Sequence, residues 1–170
     1  TISVNILGNA HVLEACRKHS VKRFIYASTV YVHSREGGFY RCSKQAAENY
    51  VEEYHRVSGL EYVILRFGSI YGPRADQSNG LYRIVKNALE TGVLRYEGSP
   101  DSLREYIHVE DAARASVAAL SDEFSNQSVV LTGQEPMRVL DLLEMLAETL
   151  GFTDAVEFVA GEQAGHYVRT

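Results

Sequence analysis

Cross-linking chemistry is nearly missing from this chain. Its two cysteines, Cys16 and Cys42, stand in stretches that read as helices and carry no partner motif. A disulfide framework is therefore not expected, and a reducing, cytoplasmic setting is. The six histidines are scattered without ligand spacing, so no metal site is assigned. No apolar run approaches the roughly 20 residues that a membrane span needs. The chain opens at Thr1 without a basic-then-apolar leader, so neither a secretory signal nor a membrane partner is expected. Basic residues are in deficit, 17 Lys and Arg against 22 Asp and Glu, for a net charge of -5. That balance lacks the basic footprint of a nucleic-acid binder, and the interspersed signs read as a solvated surface. Repeats, low-complexity runs and an obvious linker are missing too. The 13 glycines nowhere cluster into the turn where backbone N–H groups and a helix N-terminus meet a dinucleotide pyrophosphate.

What is present is a regular alternation. With 45% hydrophobic residues, the chain can bury a sizeable core, and its length fits one domain or slightly more. Apolar spacing predicts helices over 2–19, 41–58, 81–91, 109–120 and 139–150. Strands are predicted over 21–27, 61–67, 93–97, 105–108, 129–132 and 156–159. Gly59, Gly92 and Gly151 stand where three of the helices should stop. The order reads as α/β. Helix 2–19 is apolar on two stripes, one with Ile6 and Leu13 and one with Val4 and Leu7, so it should be covered on more than one side. Helix 41–58 carries Ala47, Tyr50, Val51, Tyr54 and Val57 on one side, as core or subunit interface.

The stretch richest in chemistry is Phe39-Tyr40-Arg41-Cys42-Ser43-Lys44. Tyr40 and Lys44 are four residues apart at a helix start, hence on one face, with the positive end of the helix dipole near the phenol. A phenol titrates near 10, and bringing it to ~7 takes about 4 kcal/mol of preferential phenolate stabilisation. One nearby cation supplies only ~1 to 3 pH units, so a second positive charge is required. Taken alone, such a pair is ordinarily a solvated one. Its neighbours change that reading. Upstream, Arg23-Phe24-Ile25-Tyr26-Ala27-Ser28-Thr29 is a buried-type strand ending in hydroxyls, and the C-terminal ends of parallel strands are where open α/β sheets bind ligands. Downstream come Leu65-Arg66-Phe67-Gly68-Ser69-Ile70-Tyr71-Gly72-Pro73-Arg74 and Arg104-Glu105-Tyr106-Ile107-His108-Val109-Glu110-Asp111.

These four segments, in this order, resemble the extended short-chain dehydrogenase/reductase family, in its nucleotide-sugar epimerase/dehydratase branch. The family pattern is a strand ending in Ser-Ser or Ser-Thr, then Tyr-x-x-x-Lys, then Leu-Arg-x-x-Asn-x-Tyr-Gly-Pro, then Arg-Asp-Tyr-Ile-x-Val-x-Asp. The resemblance implies the C-terminal part of a Rossmann-type doubly wound parallel sheet followed by part of a small α/β substrate domain. Residues 1–75 would be the remainder of the NAD(P)-binding domain. Residues 76–170 would be mainly the substrate-binding portion, with 105–120 returning to the first domain. It further implies NAD as cofactor, with NADP open because the residue that separates them lies upstream in the family. A nucleoside diphosphate sugar would be the substrate, and a homodimer would form through helices 2–19 and 41–58.

By the same resemblance Tyr40 is the acid/base, Lys44 lowers its pKa and holds the nicotinamide ribose, and the oxidised nicotinamide is the second positive charge. Anchoring on the strand puts Thr29, with Ser28 beside it, at the catalytic Ser/Thr; anchoring on Val30-Tyr31 would put Ala27 there. Asn5 falls on an Asn-Val-x-Gly element near the cofactor, and Ala27 and Phe67 join it as cofactor-lining residues. Ser69, Arg74, Arg104 and Tyr106 map onto substrate positions, Ser69 standing where the family has Asn. The closing residues 165–170 lie close to a family substrate-binding segment. A dehydratase of this branch carries an acidic residue after the catalytic Thr, and here Val30 follows, which favours an epimerase. A reductase or a dehydratase on the same scaffold stays open, as does a truncated chain that only dimerises or binds nucleotide sugar. The 170 residues alone, lacking the glycine-rich turn, are expected to bind dinucleotide weakly and to catalyse little.

Overall fold

The computed structural model describes residues 1–35 and 37–159. The expectation on residues 165–170 lies outside them. In chain order the elements are α1 (Asn9–Lys18), β1 (Arg23–Thr29), α2 (Gly38–Ser58), β2 (Glu61–Phe67), β3 (Ser69–Tyr71), α3 (Gly80–Thr91) and β4 (Leu94–Glu97). They continue with β5 (Leu103–Arg104), β6 (Tyr106–His108), α4 (Val109–Ala118), β7 (Gln127–Leu131), β8 (Met137–Arg138), α5 (Val139–Leu150) and β9 (Val156–Val159).

The strand run 23–29 is apolar enough to need cover on both faces, and it gets it. β1, β2 and β7 form a parallel sheet in the order β1-β2-β7, with Arg23 opposite Glu61 at one end and Thr29 opposite Phe67 at the other. Parallel neighbours require a crossover, which α2 supplies between β1 and β2. On one face, Leu13 of α1 and Ala47 and Val51 of α2 pack on Tyr26 and Ile64. On the other, Val63 and Leu65 pack with Ala119, backed by Ile25, Phe67 and Val129. A separate cluster joins α3, β4 and α5 through Ala88, Leu94, Tyr96, Val139 and Leu143. β4 pairs with β9, β3 with β6, and β5 with β8.

Several boundaries differ from the sequence reading, each for a local reason. Residues Ile2–Gly8 are helical as expected but wound as a π-helix that runs into α1. There Asn5 Nδ2 donates to Ser43 Oγ at 2.9 Å and Asn9 Nδ2 to the Ala47 carbonyl at 3.3 Å, stitching this helix to α2 at successive turns. α2 starts at Gly38, earlier than expected, because Gly37 and Gly38 take positive φ of 85° and 50° and turn the chain sharply into the helix. A Cβ on Gly37 would sit 3.2 Å from the Tyr31 ring, so the tight turn and the packing both call for glycine. β7 extends the first sheet, pairing in parallel with Val63–Phe67 of β2. No helix among the described residues is long and apolar enough to cross a membrane.

Candidate active site

Tyr40 is the third residue of α2, carried there by the Gly37-Gly38 turn, and its ring is 43% exposed. Thr29 ends β1 and is buried. The Thr29 Oγ1 accepts from the Tyr31 backbone N–H at 3.4 Å, which leaves its own hydrogen for the Tyr40 phenol it hydrogen-bonds. Burial pushes the Tyr40 phenol upward, and the Thr29 hydrogen bond works against that rise. A neutral phenol at neutral pH is the outcome, so base character needs a positive charge brought to the site.

Lys44 stands one turn beyond Tyr40. Its Nζ donates to the Ala27 carbonyl at 2.8 Å and lies 4.8 Å from the Tyr26 ring centre and 5.9 Å from that of Tyr40. Burial lowers the Lys44 ammonium, and the Glu48 carboxylate opposes the fall. Glu48, a turn farther on, is buried and gripped by Arg66 of β2, whose Nη2 donates at 2.7 Å.

Two cavities meet here. A small one, about 220 Å³, is bounded by Thr29, Val30, Tyr40, Phe67, Ser69 and Arg104. A larger one, about 800 Å³, is bounded by Ser69, Asn79, Arg83, Arg95, Arg104 and Tyr106 among others. Ser69 and Arg104 belong to both walls, so the two spaces adjoin at these residues. Arg104 is buried and donates through Nη2 to the Tyr96 hydroxyl, which fixes the guanidinium between the spaces. Burial pushes the Tyr106 phenol up to about 12, keeping it a neutral hydrogen-bonding group. Its backbone is closely approached by the loop after β7: a Cβ on Gly133 would lie 2.2 Å from the Tyr106 carbonyl oxygen. At the cavity's rim Asn79 caps α3, accepting from Tyr82 N–H at 3.0 Å and donating to the Ile70 carbonyl at 2.8 Å.

The residues singled out by sequence are thus distributed unevenly. Tyr40, Thr29, Phe67, Ser69, Arg104 and Tyr106 line the two cavities, and Lys44 lies behind Tyr40. Ser28 lies in strand alternation with Thr29, hence on the opposite face, and its buried Oγ has no hydrogen-bond partner among the described residues. Ala27 is exposed and acts through its carbonyl. Asn5 is spent on Ser43. Arg74, at a positive φ of 68° in the loop after β3, lines neither cavity. Glu48, Arg66, Tyr96, Asn79 and Arg83 were not anticipated. Of these only Glu48 had a readable signal, its spacing of four from Lys44.

The NAD dependent epimerase/dehydratase family model matches residues 1–131. An uncharacterized UDP-glucose epimerase of Bacillus subtilis is 28% identical over 174 residues, covering 93% of this chain and 55% of the relative. A UDP-glucuronic acid 4-epimerase from Bacillus cereus, solved in complex with NAD, superposes with a TM-score of 0.85 at 26% identity, over 94% of this chain and 56% of that one. A dTDP-glucose 4,6-dehydratase from Bacillus anthracis, also solved with NAD, shares the fold at a TM-score of 0.89 and 22% identity, over 99% and 59%. The chain spans about half the length of the curated relatives it matches. A match across 131 of the 170 residues, on a parallel sheet whose C-terminal end gathers Thr29, Tyr40 and Lys44, makes this chain a member of the NAD dependent epimerase/dehydratase family.

Proposed function

We propose that the whole protein is an NAD-dependent epimerase of a nucleoside diphosphate sugar, with Tyr40 as its acid/base. The observation that carries this reading is the adjacency of two unlike spaces that share the walls Ser69 and Arg104, one holding a phenol and a hydroxyl, the other walled by guanidinium groups. A sugar ring suits the first. A diphosphate suits the fork of Arg104 at the junction, since planar guanidinium groups match phosphate oxygens. Arg83 and Arg95 extend that character outward.

The residues present also fit NAD. Tyr40 and Lys44 place a phenol and an ammonium on one helix face beside the C-terminal end of a parallel strand, a donor pair suited to the two hydroxyls of a nicotinamide ribose. When bound, the oxidised nicotinamide supplies a hydride acceptor and the positive charge that the raised Tyr40 phenol lacks. Tyr40 then takes the proton of a sugar hydroxyl and later returns it. Thr29 shares the hydrogen bond to that oxygen, and Arg104 holds the diphosphate while the sugar turns. Val30 after Thr29, where a dehydratase of the resembled branch carries an acid, favours epimerisation over loss of water. We further propose a homodimer through Ile2–Lys18 and α2, supported by the exposed Ile2, Val4, Leu7, Val12, Tyr50 and Val57.

The test is product analysis. The whole protein, given NAD and, in turn, UDP-glucose, UDP-glucuronic acid and dTDP-glucose, should convert at least one to an epimer with no net reduction of NAD. A dehydrated keto-sugar, or, in a parallel run with NADPH in place of NAD, its consumption without epimer, would overturn epimerisation in favour of its sister reactions.

A further inference from the structure

Lys44 and Glu48 are one helical turn apart on α2, the spacing at which an ammonium and a carboxylate ordinarily pair. Here they do not make that contact. Both Glu48 oxygens are taken by the fork of Arg66, with Nε at 3.1 and 3.3 Å and Nη2 at 2.7 Å. Lys44 Nζ turns instead to the Ala27 carbonyl at 2.8 Å, over the Tyr26 ring and toward Tyr40. The competition is unequal by geometry: a guanidinium engages both carboxylate oxygens at once, whereas an ammonium is a point charge on a flexible stem. The two competitors also differ in rigidity. Arg66 comes from the parallel strand β2, in register with Ser28 of β1, and its side chain is 16% exposed against 7% for Glu48.

We propose that Arg66 is a positioning residue: by occupying Glu48 it denies Lys44 its intrahelical partner and so keeps the ammonium aimed at the Tyr40 end of the site. The inference rests on the reading of Tyr40 and Lys44 given above. Three groups face the Lys44 ammonium: Tyr26 from β1, and Tyr40 and Glu48 from α2. Glu48, held at a distance, still favours the charged form of Lys44 by its field. Burial is the larger influence and lowers the ammonium, and the carboxylate's field opposes it without drawing Lys44 out of position. Loss of Arg66 would reverse this, pulling Lys44 onto Glu48 and away from Ala27 and Tyr26.

The position of Lys44 can be read without any reaction. Proximity to the Tyr26 ring should displace the Lys44 side-chain methylene resonances upfield in the whole protein labelled at lysine. In Arg66→Met those resonances should lose the displacement, and the Lys44 Nζ titration should move to higher pH as the ammonium joins Glu48. The double variant Arg66→Met, Glu48→Gln removes the competing acceptor and should restore the displacement. Arg66→Lys keeps the charge but not the fork, and should give partial loss, which provides a reading if Arg66→Met does not fold. Parental Lys44 resonances in Arg66→Met, or in Arg66→Lys where only that folds, overturn the proposal, as does a double variant that stays displaced from the parental position. A whole protein that fails to epimerise any sugar nucleotide would leave these resonances, and their meaning, unchanged.

Discussion

The two ends of the strand pair β1–β2 are built on opposite plans. At the N-terminal end, Arg23 faces Glu61 in register and its guanidinium also reaches Asp122 and the carbonyls of Leu120 and Ser121. Lys22 adds a bond to Asp122 at 3.0 Å. Charges there satisfy one another. At the C-terminal end, burial raises the Tyr40 phenol and lowers the Lys44 ammonium. One end spends its polar groups on holding strands, connections and helices together; the other sets a phenol on an open cavity with an ammonium behind it, both shifted by burial. Groups of the second kind are costly in a fold that only had to be stable, and they sit where parallel sheets bind ligands.

Substitutions at the open end should therefore change chemistry, and the largest effect belongs to Tyr40. Tyr40→Phe removes the proton-transferring oxygen, and turnover of the whole protein should fall by ~10² to 10⁴-fold with substrate affinity nearly kept. Steady-state kinetics on the substrate found by product analysis measures it; parental turnover would remove the acid/base role. Lys44→Met acts on the same phenol. Since a nearby ammonium favours phenolate, its loss leaves the phenol higher still, so the pH at which the base form appears should move upward. A pH–rate profile displaced downward would contradict that sign.

Arg104→Met tests the junction between the cavities. Losing a charge-assisted hydrogen bond of ~1.5 to 3 kcal/mol should weaken nucleotide-sugar binding by roughly 10- to 100-fold, with a much smaller change in turnover. Calorimetry against UDP separates the two, because UDP carries the diphosphate without the sugar. Equal losses in turnover and affinity would place Arg104 in the chemistry instead.

What could be read from sequence follows a physical divide. Tyr40 and Lys44 were legible because a helix repeats every few residues, so spacing alone fixes a shared face. Thr29 was legible because a parallel-type strand announces both its burial and its end. The Glu48–Arg66 bond was not, since it joins residues 18 apart in sequence whose meeting depends on how α2 settles on β2. The same holds for Arg104 and Tyr96, eight residues apart across a turn. β3, β5 and β8 are two or three residues long, too short to show any period. Arg74, which the resemblance maps onto a substrate position, stands with a left-handed backbone in an exposed loop, off both cavity walls.

Thr29→Val has a smaller expected effect than Arg104→Met. The phenol loses one neutral hydrogen bond, worth ~1 kcal/mol, so turnover should fall about fivefold. The substitution also strands the Tyr31 N–H that Thr29 Oγ1 accepts, and Thr29→Ser, which keeps the oxygen, should recover most of the loss. A serine variant as slow as the valine one would point to the methyl group, and hence to packing.

Arg23→Met, at the satisfied end, should leave turnover at saturating substrate unchanged, because every partner of that guanidinium lies at the N-terminal end of the strands. Its effect should appear in stability, and in a definite pH window. Arg23 holds the Glu61 carboxyl below its ordinary range, and Lys22 and Arg23 together hold Asp122 below its own. A carboxyl depressed on folding contributes stability above its unfolded value, about 4 for these groups, and loses that contribution as pH falls through the folded value. Arg23 itself stays charged throughout. The melting temperature of Arg23→Met should therefore lie below the parental one at pH 7, and the gap should narrow as pH drops through and below the carboxylate range. What remains at low pH is the share due to the Leu120 and Ser121 carbonyls, whose bonds to Arg23 do not titrate. A gap that is constant from pH 7 down to pH 3 would assign the whole effect to those carbonyls and to packing, and would remove the ion cluster from the account of what holds this end of the sheet.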